Sequence, residues 1–411
     1  MYFVYDLLGR IILLFSPIIF LFRILSRKED LKRIKEKYCI YPKKNRKNKT
    51  IWFHAVSIGE IMTIIPVIKK LENKLKVKKI LITSSTKSST LILSKYKFKK
   101  TVHKYFPLDT NYLSNKFIKH WKPQVAIFID SEIWPNMFKN LYLNKIPLIL
   151  LNARITKKTF KKWQIFPSFA KIVFSKITLA MPQNSETLKY LKILGANQIK
   201  MVGNLKYFGN RKVIKDIKVL KNKFKNRDVW CAASTHESEE LLIGQVHKNL
   251  KKVKKKLLTI IIPRHIDRTN FIIDELNKIG LKSVTHSSNK KILKDTDIYL
   301  VDTFGEASSF YQLTNITFMG GSMIPHGGQN PLEPARLDNY IVHGPYIENF
   351  KEVYSYLDKM KISSKVKNST KLKQLLLKNL NYKFSKKLKH KITFTGKKIL
   401  NENLLQINKY I

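Results

Sequence analysis

From residue 51 onward, short apolar runs alternate with segments in which apolar residues recur every three or four positions, as in a helix with one apolar face. Five runs are brief and rich in β-branched residues, which is typical of strands covered on both faces of a sheet. They lie at 51–55, 79–83, 124–130, 147–153 and 177–182. Helical spacing is clearest at 57–75, where isoleucine and leucine recur every three or four residues. Alternating strands and helices predict a parallel sheet with right-handed crossovers.

The same alternation begins again after a lysine-rich stretch. Four further predicted strands lie at 228–234, 257–263, 297–302 and 315–320. The length of 411 residues fits two α/β domains, and ligands of such sheets bind beyond the carboxyl ends of the strands. Two facing domains would therefore make a cleft. The predicted divisions are an anchor with a basic flank at 1–45, an N-terminal domain at 46–210, a C-terminal domain with terminal helices at 211–411, and a hinge near 204–216.

The N-terminus carries an apolar run at 11–22 between Arg10 and Arg23. Because a membrane-crossing helix needs about 20 apolar residues, the run predicts either a marginal span or a helix lying in the membrane interface. A core helix stays an alternative, whereas the absence of a small-residue cleavage site disfavours a signal peptide. The basic flank from Arg23 to Lys49 predicts that the following chain is cytoplasmic.

The net charge of +51 comes from 79 Lys and Arg against 28 Asp and Glu, and only 11 of the 79 are Arg. Base-edge recognition favours arginine, so no nucleic-acid partner is expected. A compositional bias toward lysine and an anionic membrane partner both remain open. Cys39 and Cys231 are too few for a disulfide framework and lie in no metal-ligand spacing.

Acidic residues follow two of the predicted strands. Glu60 lies three positions after Ser57 in "HAVSIGE", so it is either a general base or the acid of a helix capping box. Asp130 and Glu132 follow the strand at 124–130, where they could contact a ligand or cap the next helix. Lys206 follows a sharp break in "GNLKY", where an anion could meet it.

Three segments of the second half have the features of an anion site. Arg264 follows the strand that ends at Pro263, and its guanidinium suits a phosphate. Gly305 and Glu306 precede a predicted helix in "VDTFGEASSFY". The stretch 320–335, "GGSMIPHGGQNPLEPA", has four glycines in nine residues, which predicts close approach of backbone to a ligand. Motifs of P-loop kinases, dinucleotide-binding dehydrogenases, zincins and serine hydrolases do not occur in the sequence.

With these motifs in order along nearly the whole chain, the sequence resembles the 3-deoxy-D-manno-octulosonic acid (Kdo) transferases of Gram-negative bacteria. The matching segments are "HAVSIGE", "SEIWPN", "NARIT", "GNLKY", "ASTHESEE", "PRHIDR", "VDTFGE" and residues 320–335. The resemblance implies a GT-B fold of two facing Rossmann-like domains with an N-terminal membrane anchor at the cytoplasmic face of the inner membrane. It also implies an inverting reaction, without a metal or other cofactor, that moves Kdo from CMP-Kdo to lipid IVA, the lipid A precursor.

The resemblance further implies roles for individual residues. Glu60 would accept the proton of the attacking hydroxyl, and Asp130 and Lys206 would stabilise charge in the transition state. The residues that would surround CMP are Pro263, Arg264, Gly305, Glu306, Ala307, Asn330, Pro331, Leu332 and Glu333. The chain departs from the family at Asp130, where Glu is usual, and at Gln329, where His is usual.

Two other functions remain compatible with the residues alone. The first is a transferase of the same fold whose donor is a nucleoside diphosphate sugar. The second is a basic protein without enzymatic activity that binds nucleic acid or membranes, although no aromatic RNA-binding motif supports it.

Overall fold

A computed structural model describes residues 1–26, 29–42, 49–208, 217–383 and 386–411. The chain forms two compact units: unit 1 holds 1–208 and 396–411, and unit 2 holds 209–395. The end of unit 1 at Phe208 lies near the predicted division at 210, but the last residues of the chain return to unit 1. Arg27, Lys28 and residues 43–48 of the basic flank, and 209–216 of the predicted hinge, lie outside the described residues.

Unit 1 contains a six-stranded parallel sheet in the order β3-β2-β1-β4-β5-β6. Its strands are β1 Thr50–His54, β2 Ile80–Ser84, β3 Thr101–Tyr105, β4 Pro123–Ile129, β5 Leu148–Ala153 and β6 Leu179–Pro182. Successive residues of β1 pack on opposite faces of the sheet: Trp52 belongs to one apolar cluster and Phe53 to another. The sheet is therefore covered on both faces, as its continuous apolar runs predict.

Helices cover this sheet and precede it. They are α1 Tyr2–Leu25, α2 Ile58–Glu72, α3 Lys87–Ser94, α4 Asn111–Trp121, α5 Pro135–Leu143, α6 Lys157–Gln164, α7 Pro167–Phe174 and α8 Ser185–Leu194. Short 3-10 helices lie at Leu31–Tyr38 and Leu205–Tyr207. The helix predicted to end at 75 ends at Glu72, and Leu75 beyond it is exposed.

Unit 2 contains a seven-stranded parallel sheet in the order β13-β12-β11-β7-β8-β10-β9. Its strands are β7 Asp228–Thr235, β8 Leu257–Pro263, β9 Ser283–Thr285, β10 Ile298–Leu300, β11 Ile316–Met319, β12 Tyr340–His343 and β13 Ser363–Lys365. Its helices are α9 Ile217–Lys223, α10 Glu239–Lys251, α11 Thr269–Lys278, α12 Ala307–Tyr311, α13 Leu332–Arg336, α14 Lys351–Lys359 and α15 Ser369–Asn379, with short 3-10 helices at Ile266–Arg268 and Glu348–Phe350.

The last helix, α16 Lys386–Asn408, passes from unit 2 into unit 1. Leu400, Leu404 and Ile407 are buried in the same apolar cluster as residues of α2. The amide of Gln124 also donates to the carbonyl of Tyr410 at 3.3 Å. The C-terminal residues are therefore part of the unit 1 core.

Candidate active site

Two neighbouring strands of unit 1, β1 and β4, end beside the residues proposed for catalysis. Glu60 lies in the first turn of α2, which follows β1, and Asp130 directly follows β4. Lys206 lies in the 3-10 helix Leu205–Tyr207, and its ammonium group is 3.8 Å from the carboxylate of Asp130. The structure thus brings these three predicted residues to one edge of the sheet.

Glu60 forms a capping arrangement at the start of α2. The Ser57 hydroxyl accepts from the Glu60 amide at 3.2 Å and donates to the Glu60 carboxylate at 2.7 Å. The Val56 amide donates to the other carboxylate oxygen at 2.8 Å. The capping-box interpretation of the sequence therefore describes real contacts of this side chain.

The same carboxylate has the acidity that a general base requires. Burial raises the pKa of Glu60 to about 7; the hydrogen bonds from Ser57 and Val56 oppose this shift, and the charges of Glu132 and Asp130 add to it. A base with a pKa near neutrality is ionised often enough to accept a proton and basic enough to keep it. Capping and catalysis are thus compatible roles for one side chain.

Asp130 is held in an unusual conformation by its surroundings. Its φ is 59°, in the left-handed region that Asp tolerates better than most residues, and its side chain is buried. Burial raises the pKa of Asp130, whereas the positive charges of Lys206 and Arg154 lower it. Backbone strain of this kind is common at functional sites.

Residues without a role assigned from the sequence support this edge. Asn152, at the end of β5, accepts the Leu205 amide at 2.8 Å and so fixes the segment that carries Lys206. The Trp134 indole donates to Glu132 at 2.9 Å, and His54 lies 3.4 Å from the same carboxylate. Position at a strand end is the signal that could have identified Asn152.

In unit 2 the predicted CMP-binding residues follow neighbouring strands. Pro263 ends β8, and the exposed Arg264 follows it, with its amide donating to the Thr235 carbonyl at 3.0 Å. Gly305 lies between β10 and α12, in the loop that also carries Glu306. Residues 320–333 follow β11, and the strands occur side by side in the order β11-β7-β8-β10.

Two glutamates tie the predicted segments together. Glu306 accepts from Thr303 and lies 3.2 Å from His286, and Ala307 begins α12 directly after it. Glu333 accepts from the Ser308 hydroxyl, which joins the start of α12 to the start of α13. These two helices have five residues each, so their dipoles are small. An anion at their starts would be bound mainly by free backbone amides.

The turn at residues 330–333 contains both buried and accessible side chains. The Asn330 side chain accepts the Leu332 amide at 3.1 Å, and the side chains of Pro331 and Leu332 are buried. Glu333 is exposed at the same turn. The polar groups of this turn that remain accessible are therefore those of Asn330 and Glu333.

The glycines of the 320–335 stretch serve the packing of the loop itself. A Cβ on Gly320 would lie 2.4 Å from the Ser234 carbonyl, and one on Gly327 would lie 2.4 Å from the Asn349 side chain. Gly327 also has a φ of +89°. The predicted approach of this backbone to a ligand stays a prediction, and the close contact of Gly320 in the structure is with the end of β7.

Glu239 holds this loop through its buried carboxylate. It accepts the amides of Gly321, Ser322 and Met323 at 2.6, 3.1 and 3.0 Å, and the His236 amide at 3.0 Å. Four backbone donors around one carboxylate form an anion hole that the protein fills with its own side chain. Glu239 is therefore a positioning residue for the glycine-rich loop.

Replacing Glu239 with glutamine is expected to lower the free energy of unfolding by about 2–3 kcal/mol, because a neutral amide meets four N–H donors with one acceptor. Denaturant unfolding followed by circular dichroism would measure this change. Glu237→Gln is the matched control, since Glu237 is exposed two residues earlier. Equal stability of the two variants would contradict the role of Glu239.

Several histidine and arginine side chains lie close together beside the glycine-rich loop. His236 lies 4.1 Å from His326 and 5.9 Å from His265, measured between ring centroids. Burial, together with the neighbouring imidazole and guanidinium groups, Arg264 among them, lowers the pKa of His236 to about 4. Gln329, where the related family usually has His, lies 3.2 Å from the His236 ring. The strand ends of unit 2 thus favour an anionic ligand.

The described residues contain no group of three or more His, Cys, Asp or Glu placed to hold a metal ion. Cys39 and Cys231 are both free and buried. At the unit 1 edge, the positive charges near Asp130 are those of Lys206 and Arg154.

Comparison with solved structures defines the class of the fold. UDP-GlcNAc 2-epimerase from Neisseria meningitidis matches with a TM-score of 0.58 at 14% identity, over 87% of this chain and 100% of that one. A glycosyltransferase from Rickettsia africae matches with a TM-score of 0.55 at 12% identity, over 89% of this chain and 99% of that one. Both likenesses concern architecture alone. The protein has the GT-B fold, with two Rossmann-like α/β units.

Sequence comparison then places the chain within this class. The family model described as 3-deoxy-D-manno-octulosonic-acid transferase matches residues 32–208. The 3-deoxy-D-manno-octulosonic acid transferase of Rickettsia bellii is 31% identical over 401 residues, 96% of each chain. That of Haemophilus influenzae is 30% identical over 312 residues, 75% of this chain and 73% of its own. The chain is a glycosyltransferase, and it belongs to the family of Kdo transferases, which confirms the resemblance seen in the sequence.

Proposed function

We propose that this Kdo transferase takes the sugar from CMP-Kdo and passes it to lipid IVA in lipopolysaccharide core synthesis. The reaction is inverting and independent of metal ions. The observation that carries the proposal is the carboxylate of Glu60, whose pKa of about 7 lies where a general base for a sugar hydroxyl needs it.

Glu60 acts on the acceptor. Its carboxylate takes the proton of the attacking hydroxyl while that oxygen bonds to the anomeric carbon of Kdo. The bond from that carbon to the phosphate oxygen breaks in the same step, and its electron pair leaves with CMP. A single displacement of this kind inverts the anomeric configuration, because the nucleophile enters opposite to the leaving group.

Asp130 and Lys206 form a charge pair beside this base. The ammonium group of Lys206 stabilises negative charge that develops during transfer, and Asp130 keeps the ammonium group oriented at 3.8 Å. Asp130 is one methylene shorter than the Glu usual in the family. The left-handed backbone at Asp130 accompanies this shorter side chain, and Arg154 lies near enough to share its charge.

The donor binds at the strand ends of unit 2. Arg264 pairs with the phosphate of CMP and neutralises the charge that the leaving group gains. Pro263 sets the position of Arg264, while Gly305, Glu306 and Ala307 present the backbone at the start of α12. Asn330 and Glu333 contact the nucleoside, and the buried Pro331 and Leu332 hold their turn in place. Because the protein supplies the positive charge, departure of CMP needs no metal ion.

The reaction takes place at the cytoplasmic face of the inner membrane, where the lipid acceptor is available. Helix α1 supports this location, since it is the one helix in the described part of the chain that is long and apolar enough to cross a membrane. Only Ser16 and Phe20 of that helix are buried. The alternative of an internal core helix therefore has little support.

A transfer assay tests the donor, the acceptor and the metal independence together. The full-length protein is incubated with CMP-Kdo and lipid IVA in the presence of EDTA, and the lipid product is analysed by mass spectrometry. We expect addition of one or more whole Kdo residues, inhibition by CMP but not by UDP at equal concentration, and no effect of EDTA. Inhibition by UDP alone would favour a nucleoside diphosphate sugar as donor, and loss of transfer with EDTA would contradict metal independence.

A further inference from the structure

One face of helix α1 is attached to unit 1 by polar contacts that begin near its N-terminus. The Tyr5 hydroxyl donates to Asp109 at 3.0 Å. The carboxylate of Asp6 accepts the Asn111 amide at 2.8 Å. These contacts fix the first turns of the helix on the loop between β3 and α4 and on the first residue of α4.

The same face remains attached toward the other end of the helix. The Ser16 and Tyr38 hydroxyls are 2.7 Å apart, and the rings of Phe20 and Tyr38 pack edge to face. Arg23 donates to Glu29 at 2.7 Å. The helix therefore lies along unit 1 over about 27 Å, the rise of 18 residues from Tyr5 to Arg23.

The opposite face is apolar and exposed. Phe3, Leu14 and Leu25 are 78%, 74% and 71% exposed, and they recur every 11 residues, which is about three helical turns and keeps them on one line. Further apolar side chains on this surface are Val4, Leu7, Leu8, Ile11, Phe15, Ile18, Leu21 and Phe22. Such a continuous exposed surface needs an apolar partner.

A membrane-crossing orientation conflicts with the attached face. If α1 crossed the bilayer with its contacts intact, the polar groups of unit 1 at Asp6, Asp109 and Glu29 would enter hydrocarbon. Burial of charged groups there costs several kcal/mol each. If the contacts broke instead, the buried carboxylate of Glu29 would lose its hydrogen bond from Arg23.

We propose that α1 lies in the plane of the membrane interface, with its apolar face in the acyl chains and its attached face on unit 1. Cations at its border fit an anionic lipid surface: Arg10 is exposed, Arg23 is half-exposed, and the ammonium group of Lys139 lies 5.4 Å from the Tyr2 ring. The helix thus binds one leaflet and does not cross to the other.

This attachment also orients the catalytic edge. Asp109, which receives the Tyr5 hydroxyl, accepts the Asn136 and Met137 amides at 3.1 and 2.8 Å. Those two residues begin α5, a few positions after Asp130. The carboxyl edge of the unit 1 sheet, which carries Glu60, therefore lies on the membrane side. The inference rests on the proposed membrane association but not on the identity of donor or acceptor.

Spin-label depth measurements test the orientation without any substrate. The variants Phe3→Cys, Leu14→Cys and Leu25→Cys are labelled in the full-length protein, whose own cysteines are buried, and bound to vesicles of phosphatidylcholine and phosphatidylglycerol at 3:1. We expect all three labels to lie at the same shallow depth. A Leu75→Cys label, at a position that is 90% exposed beyond α2, is the control and should remain in water.

A crossing helix would give a different depth profile. Its two outer labels would lie at opposite interfaces, about 33 Å apart by the helical rise, and the Leu14 label would be deepest. That profile, or the absence of immersion at all three positions, would overturn the proposal. Binding to vesicles of phosphatidylcholine alone should be at least tenfold weaker, because about 1 kcal/mol is lost for each cation near the surface. Failure of the transfer assay would leave these depths unchanged, so the two proposals fail separately.

Discussion

Glu60→Gln is expected to lower the turnover number for Kdo transfer by about 10²–10⁴-fold, the usual contribution of a general base. Glutamine cannot accept the proton of the acceptor hydroxyl. It retains a side-chain oxygen that can accept the Val56 amide, so the start of α2 should persist. Steady-state kinetics with saturating CMP-Kdo and lipid acceptor measure the effect, and circular dichroism checks the helix.

The variant Ser57→Ala is a control that separates catalysis from capping. Ser57→Ala removes the N-cap hydroxyl but keeps the carboxylate, so it should cost about 1 kcal/mol of stability and leave most of the turnover. Near wild-type turnover in Glu60→Gln would show that Glu60 acts as a capping residue alone.

The pH dependence of the wild-type rate follows from the same carboxylate. Turnover should fall as the pH drops through about 7, because protonated Glu60 is not a base. The stability of the folded state changes in the opposite direction, because it falls as the pH rises from 4.5 to about 7. The folded state binds more protons than the unfolded state between the ordinary pKa of 4.5 and about 7, so ionised Glu60 destabilises the protein above this window. Glu60→Gln should therefore unfold at or above the wild-type melting temperature at pH 8.

Arg264→Ala is expected to lower kcat/KM for CMP-Kdo by about 10²–10³-fold, the effect of removing one donor to a developing anion. The reason is the loss of a guanidinium that pairs with the phosphate as CMP departs. Because Arg264 is exposed, its removal should leave the melting temperature unchanged. Initial rates at low donor concentration measure the effect.

Arg264→Lys distinguishes the charge from the fork geometry of arginine. Lysine restores one positive charge without bidentate hydrogen bonds, so we expect partial recovery of kcat/KM. Arg227→Ala is an unsuitable control, since Arg227 donates to backbone carbonyls, including those of Leu257 and Thr296. An Arg264→Ala enzyme with unchanged kcat/KM would contradict the proposed donor site.

Nine strands with clear apolar runs were predictable from the sequence, whereas β3, β9, β12 and β13, which have three to five residues each, were not. All nine predicted strands occur in the two parallel sheets, because unbroken apolar runs are needed where helices cover both faces. Strand β3 at the sheet edge was missed, since His103 and Lys104 break its pattern. Strand β13 has three residues, two of them serine, and gives no apolar run at all.

Site residues that directly follow strands were easier to predict from the sequence than residues whose role depends on contacts between distant segments. Glu60 and Asp130 follow adjacent parallel strands, whose carboxyl ends meet at one edge, so strand ends alone could bring them together. Glu239 gave no such signal, because it looks like an ordinary acid in the first turn of a helix. Its partner Gly321 lies 82 residues further along the chain, and only the folded structure joins them. The need for glycine at position 320 is likewise visible only in the folded structure, where a Cβ would meet the Ser234 carbonyl.

The return of α16 to unit 1 has a consequence for folding during synthesis. Leu400, Leu404 and Ile407 complete an apolar layer whose other buried members precede residue 209. When a nascent chain has emerged from the ribosome as far as residue 395, all of unit 2 is present, but unit 1 still lacks these side chains. The half of the protein that is translated first can thus be the last to close its interior.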